Sequence, residues 1–307
     1  MNWHILGAGA IGCLWALRMR QADLNVTLIN RTLQAPYDQL IKIKTQFQTH
    51  SINVKVESAT ETTPIQHLLI TTKSYDTLSA VASVAHRLSH SCQIVLLQNG
   101  YGHQQQLIKT YPHLPIWLAS TTAGAWRHSP YTIECVSEGT TLIGSMQPHA
   151  EEFPDGWSRL RPQIVLSDNI DHVLWKKLAI NCAINPLTAY WGCKNGQLLD
   201  KPELKIQMQQ VCQEIEALSA LKGMRPFSPP LFELTCDIAL KTAENHSSML
   251  QDIRANKKTE IDDMTGYICK EAKHLNLDVP MNAELYAKIQ GMSLSKLESR
   301  PTNKSEA

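Results

Sequence analysis

Six residues near the start of the chain constrain its fold more than any others. Gly7, Ala8, Gly9, Ala10, Ile11 and Gly12 read G-A-G-A-I-G. Ile5 and Leu6 close a short apolar run before them, and residues 10–19 continue with helical character. A strand, a glycine turn and a helix in this order form a cradle for a dinucleotide pyrophosphate. The first glycine permits the tight turn, the second admits the phosphates to the backbone, and the third lets the helix pack close to the strand. The helix N-terminus then faces the anion. The opening stretch therefore predicts a Rossmann-like α/β domain, with a glycine-rich turn in an ordinary βα unit as the plainer alternative.

The following residues continue the pattern. Residues 25–30 (N-V-T-L-I-N) are β-branched and apolar and read as the second strand. Its end carries Asn30 and Arg31, where an NAD site usually places a carboxylate for the ribose 2′-hydroxyl. Arginine can pair with a 2′-phosphate, which favours NADP over NAD; a surface arginine in a loop is the alternative. Residues 40–60 alternate polar and apolar and predict exposed strands or a hairpin. Residues 67–72 predict a buried parallel strand with Lys73 at its C-terminal end, where open α/β sheets bind ligands. An amphipathic helix is predicted over 77–88 and a buried strand over 93–97. That strand runs into Gln98-Asn99-Gly100, which can be a turn or can present Asn99 to a nicotinamide. Residues 116–122 read as a strand leading into Ala123-Gly124-Ala125. Residues 131–137 and 140–144 read as a hairpin, 157–160 as a short helix and 164–166 as a last strand.

At Asp168 the character changes from strand-rich to helical. The expected division is a dinucleotide-binding domain over 1–168 and an all-α domain over 169–307. Helices are expected at about 169–185, 203–222, 230–243, 248–275 (interrupted) and 281–291, with a polar tail after Leu294. Lys177, Asn181 and Asn185 are spaced i, i+4, i+8 and form one polar stripe on a helix otherwise lined by Leu174, Trp175, Leu178 and Ile184. A lysine and two amides in such a setting need partners, which an oxygen-rich substrate or the neighbouring backbone would supply. Pro186 disfavours helix at Asn185 and places it at a frayed or kinked end. Lys176, about 100° around the helix, is expected to face solvent. Ser248 with Gln251 resembles a capping box, and Glu260 lies in a charged run, usually a solvated feature.

Composition excludes several classes. The net charge of +1 and the absence of a Lys/Arg-rich run give no general attraction to nucleic acid or anionic membranes. No stretch reads as a signal peptide or membrane span. Eight scattered cysteines without a C-x-x-C pair point to free thiols and a cytoplasmic, reducing setting. His86 and His90, four apart on an expected helix, lack a third ligand, so no metal site is expected. No heptad distinguishes a monomer from a homodimer.

The chain resembles the ketopantoate reductase family over nearly its whole length. The resemblance is carried by G-A-G-A-I-G at 7–12, T-K-S-Y at 72–75, Q-N-G at 98–100 and S-T-T-A-G-A at 120–125. It continues in L-W-K-K-L-A-I-N-C-A-I-N-P-L-T-A at 174–189, C-K-N-G-Q-L at 193–198, E-N-H-S-S-M-L-Q-D-I-R at 244–254 and T-E-I-D at 259–262. It implies NADPH-dependent reduction of 2-dehydropantoate in pantothenate synthesis, with Lys177 as general acid. Asn99 would contact nicotinamide and substrate; Asn181, Asn185, Asn195 and Ser248 would hold the small-molecule substrate; Arg31, Lys73, Ala125 and Glu260 would serve the cofactor. Gln98 departs from the histidine of a well-known member, a change expected at the rim of the site. A reductase of another 2-oxo acid on the same fold, or a non-catalytic NADP-binding regulator, are the competing readings.

Overall fold

The computed structural model describes residues 1–31, 36–147, 152–225 and 227–298, the side chains of 293–298 excepted. The chain divides into two compact units, Met1–Val173 and Leu174–Ala307.

The first unit is built on one mixed sheet with three helices. In chain order it contains β1 (Asn2–Leu6), α1 (Ala10–Gln21), β2 (Asn25–Asn30), β3 (Tyr37–Lys44), β4 (Thr49–Ser58), β5 (Ile65–Ile70), α2 (Thr77–Val84), β6 (Leu88–Leu96), α3 (His103–Thr110), β7 (Ile116–Thr121), β8 (Gly124–Ser129), β9 (Thr132–Ser137), β10 (Thr141–Gly144) and β11 (Ile164–Leu166). The sheet order is β11-β10-β7-β6-β5-β1-β2-β4-β3-β9-β8. Its centre, β7-β6-β5-β1-β2-β4, is entirely parallel. Numbered among themselves, these six strands lie in the order 6-5-4-1-2-3, the doubly wound arrangement, and the order reverses between β1 and β5. Ligands of such sheets lie beyond the strand ends at that reversal, which is where Gly7 and Lys73 stand.

The central strands are buried on both faces and read as apolar runs: Ile5, Leu28, Leu68, Leu69, Ile94 and Val95 are all inaccessible. The stretch 40–60 differs from expectation. β3 and β4 do form an antiparallel hairpin, but Ile41, Ile43, Val54 and Val56 are buried, so one face joins the core and only the other meets solvent. The expected pairing of 131–137 with 140–144 does not form. β9 pairs with β8 and β3, whereas β10 pairs with β7 and β11 near the other end of the sheet. Gly124 and Ala125 begin β8. α2 stops at Val84, and β6 begins at Leu88. His86 therefore lies in a 3₁₀ turn and His90 in a strand, not on one helix. The helix α3 was not apparent in the sequence.

The second unit is helical: α4 (Ile170–Trp191), whose first turn belongs to the first unit, α5 (Gln197–Asp200), α6 (Pro202–Leu221), α7 (Leu231–Lys241), α8 (Ser248–Arg254), α9 (Thr265–His274) and α10 (Pro280–Glu298). Two carboxylates of α6 organise its neighbours. Glu216 accepts from the backbone N–H of Leu231 at the start of α7, 2.7 Å away. Glu214 accepts from the N–H groups of Met281 and Asn282 at the start of α10, at 2.8 and 2.9 Å. Each satisfies orphan donors and complements a positive helix end. Trp175 of α4 is fully buried, donates to Ser219 Oγ at 2.8 Å and meets Tyr267 edge-on. The expected helix break at Asn185 is absent: α4 runs on to Trp191 with Pro186 inside it. Pro186, Leu187, Thr188 and Ala189 are buried, and this packing overrides the local penalty of a proline. The expected polar tail after Leu294 is helical to Glu298; the remainder lies outside the described residues.

Candidate functional site

The first candidate site is the glycine turn after β1. Gly7 has φ +115°, and a Cβ there would meet the Thr72 backbone nitrogen at 2.7 Å. A Cβ on Gly12 would fall 2.0 Å from Gly7 O. Both glycines are thus required by close approach within the fold. Gly9 is the exception: a Cβ there meets nothing within 4 Å. The space over Gly9, at the N-cap of α1, is open where a phosphate would need it. Thr71 Oγ1 donates to Gly7 O at 2.7 Å and ties the end of β5 to the turn.

A cavity of about 420 Å³ opens beside this turn, within the range of small-molecule pockets. Gly7, Ala8 and Gly9 form its floor, and Asn30 and Arg31 from the end of β2 reach its wall. Thr72, Ala80, Ser83, Arg127, Pro130 and Tyr131 also line it. The last three were missed in the sequence; the Ser-Pro turn in W-R-H-S-P-Y is the one signal that could have marked a hairpin there. Tyr131 has φ +60°, unusual for a bulky residue, and shares hydrogen bonds with Asn30 and, at 3.2 Å, Tyr37 Oη. Burial and the Tyr37 hydrogen bond raise its phenol to about 12. Arg31 is exposed and faces Asp76 at 3.8 Å. Lys73, Asn99 and Ala125 are half-buried, at the ends of β5 and β6 and in β8 respectively. Gln98 is buried rather than at a rim, and its amide donates to Thr72 Oγ1 at 3.5 Å.

The second candidate site is the polar stripe of α4. Lys177, Asn181 and Asn185 are each half-buried on this one helix. Among the described residues, neither Asn181 nor Asn185 makes a side-chain hydrogen bond. Burial lowers the Lys177 ammonium from the usual lysine range to about 8, and the charge of Glu260 opposes that shift. Glu260 is 6% exposed, so it does not belong to a solvated charged run. Lys176 is half-buried like Lys177 rather than solvent-facing. Asn195 is buried: its amide donates to Thr242 Oγ1 at 2.9 Å and its Oδ1 accepts nothing among the described residues. The cap of α8 is Ser247 rather than Ser248. Ser247 Oγ accepts from Leu250 N at 3.2 Å and from Thr188 Oγ1 at 2.7 Å, while Ser248 is the exposed first residue of the helix. All eight cysteines are unpaired thiols.

Comparison with known proteins decides the family. The ketopantoate reductase PanE/ApbA model matches residues 3–148, and the model of that family's C-terminal region matches residues 169–293. A 2-dehydropantoate 2-reductase of Yersinia pestis is 32% identical over 293 residues, covering 94% of each chain. The chain belongs to the ketopantoate reductase family. It is an oxidoreductase with a Rossmann-like α/β first domain and a helical C-terminal region. The crystal structure of a PanE/ApbA family ketopantoate reductase from Ralstonia eutropha superposes with a TM-score of 0.87 at 25% identity, covering 97% of this chain and 100% of that one. A D-mandelate dehydrogenase solved with NADH and anilino(oxo)acetate shares the fold, with a TM-score of 0.87 at 18% identity and coverage of 97% and 100%. Among the described residues no helix is long and apolar enough to cross a membrane.

Proposed function

We propose that the chain reduces the ketone of 2-dehydropantoate with NADPH, giving pantoate for pantothenate and coenzyme A synthesis. The observation that carries this reading is Lys177. It is a half-buried lysine drawn down to about 8, beside two uncommitted amides, in a family whose members are named for this reaction. In this reading residues 1–168 bind the cofactor and 169–307 supply the substrate and catalytic groups.

The glycine turn fits a dinucleotide, because the space above Gly9 is open and the wall of the cavity carries Arg31. Residues 7–12 would hold the pyrophosphate through backbone N–H groups. Arg31 and Lys73 would pair with the 2′-phosphate, and Asn99 and Ala125 would lie toward the nicotinamide. The bound cofactor supplies the hydride. Lys177, protonated at neutral pH because its pKa lies above 7, stabilises the developing negative charge on the carbonyl oxygen. It then passes its Nζ proton to that oxygen. Asn181, Asn185, Asn195 and Ser248 orient the substrate's hydroxyl and carboxylate, with Asn195 offering Oδ1. Glu260 keeps Lys177 from losing its proton too readily and would serve the cofactor.

The test is NADPH oxidation with 2-dehydropantoate, with 2-oxoisovalerate and NADH as controls. Turnover with the first pair, and little with either control, is expected. The rate should fall as pH rises through about 8, because the acid form of Lys177 is lost there. Cofactor binding without turnover of any 2-oxo acid would remove the catalytic reading and leave an NADP-binding regulator.

A further inference from the structure

Of the β8–β9 hairpin, only Ala125 has a role in the reading above. This hairpin lies beside the glycine turn. α1 packs against β8 and β9. Ala8 and Ala10 of the turn rest on the same buried cluster as Ala123, Ala125 and Tyr131. Arg18 of α1 fixes the far end of the hairpin: its guanidinium donates to Glu138 O at 2.5 Å and lies over the Trp15 ring.

Within β8 the pairing from Ala125 to Arg127 is regular, opposite Cys135 to Ile133. Alternation therefore puts Arg127 on the face of Ala125, toward α1, and Trp126 on the other, with both side chains exposed. The Arg127 side chain makes no hydrogen bond or ion pair among the described residues, yet it lines the cavity with Gly7 and Gly9. Its charge is felt at the first turn of α1, where burial pushes the Cys13 thiol up to about 12 and Arg127 opposes the rise. Arg31 reaches the same cavity from the end of β2, the ribose side.

Resting on the dinucleotide reading above, the geometry points to a division of labour between two arginines. Arg127 is the cation for the cofactor's pyrophosphate, delivered by the β8–β9 hairpin, and Arg31 is the cation for the 2′-phosphate. A guanidinium can pair with two phosphate oxygens, and the backbone N–H groups of the turn supply hydrogen bonds without full charge. The hairpin thus places a counter-charge that the turn itself lacks: the first turn of α1 carries no charged side chain.

The two sources of negative charge separate by ligand. Binding of ADP-ribose, 2′-phospho-ADP-ribose, NADH and NADPH is measured by calorimetry on the full chain. Arg127→Ala should weaken all four by a similar factor, roughly ten- to a hundredfold, as loss of a charge-assisted hydrogen bond does. Arg31→Ala should weaken only the two that carry a 2′-phosphate. Arg127→Lys should retain more affinity than Arg127→Gln, and thermal melting reports whether each variant is folded. ADP-ribose affinity unchanged within about twofold in folded Arg127→Ala overturns the proposal, as does a loss confined to the 2′-phosphate ligands or a wild-type chain that binds none of the four. If the wild type binds ADP-ribose as tightly as its 2′-phosphate, the NADPH reading fails while Arg127 is still tested on the ADP-ribose arm.

Discussion

Each unit of this molecule sets a buried carboxylate against a cation, fully buried in the first and half-buried in the second, and the two arrangements differ in which way burial and charge balance. In the first unit, Glu57, Arg87 and His4 are each less than 5% exposed. Arg87 pairs with Glu57 through Nη2, donates to Ser58 O at 3.2 Å through Nη1 and to Thr63 O at 2.9 Å through Nε; His4 Nε2 lies 3.3 Å from Glu57. Burial alone would raise the Glu57 carboxyl, but hydrogen bonds from His4 and Arg87 more than offset it and hold it at about 2. In the second unit the balance runs the other way. Burial outweighs Glu260 and brings Lys177 down to about 8. Charge that is over-answered locks a fold; charge that is under-answered stands ready to give up a proton. The same two chemical ingredients mark scaffold in one place and a candidate catalytic group in the other.

Four measurements bear on that contrast. The largest effect is expected from Arg87→Ala, which leaves Glu57 buried without its main partner and should cost about 3–5 kcal/mol in denaturant unfolding. Turnover per folded molecule should stay unchanged; a large fall in kcat would give Arg87 a second role. Lys177→Ala should lower kcat by on the order of a hundredfold or more. Thermal melting checks that the variant is folded. A near-normal kcat would refute Lys177 as the acid. Acid titration of the wild type comes next. Glu57 has a depressed folded pKa, so its contribution is complete above the unfolded value near 4.5. It is lost as pH falls toward about 2, a decline of up to about 3 kcal/mol. Glu57→Gln should flatten that limb. The smallest effect is Glu260→Gln: with the opposing charge gone, the alkaline limb of kcat should move about one pH unit toward acid. An unmoved limb would detach Glu260 from Lys177.

Much of this was legible in the chain, because some requirements are local. Gly7 and Gly12 are needed by backbone approaches between residues a few positions apart or across two adjacent strands, and the motif spells them out. The i, i+4, i+8 spacing of Lys177, Asn181 and Asn185 survives in any α-helix that contains them. Where expectation failed, a distant partner decided. Pro186 breaks an isolated helix, but α4 is held through it by buried packing. Ser248 with Gln251 has the spacing of a capping box, but the cap is Ser247, which also accepts the bond from Thr188. The strands 132–137 and 141–144 are close in sequence but separated in the sheet, since each found a longer-range partner.

The sequence by itself determined the glycine turn, the Rossmann-like α/β class of the first unit and the polar face of one long helix, since backbone conformation and periodicity follow from neighbouring residues. Only the tertiary structure decided that Glu260 is buried, that Lys177 titrates near 8 and that Arg127 lines the cavity beside Gly9. Burial and electrostatic environment are sums over atoms brought together from far along the chain, and no window of sequence contains them.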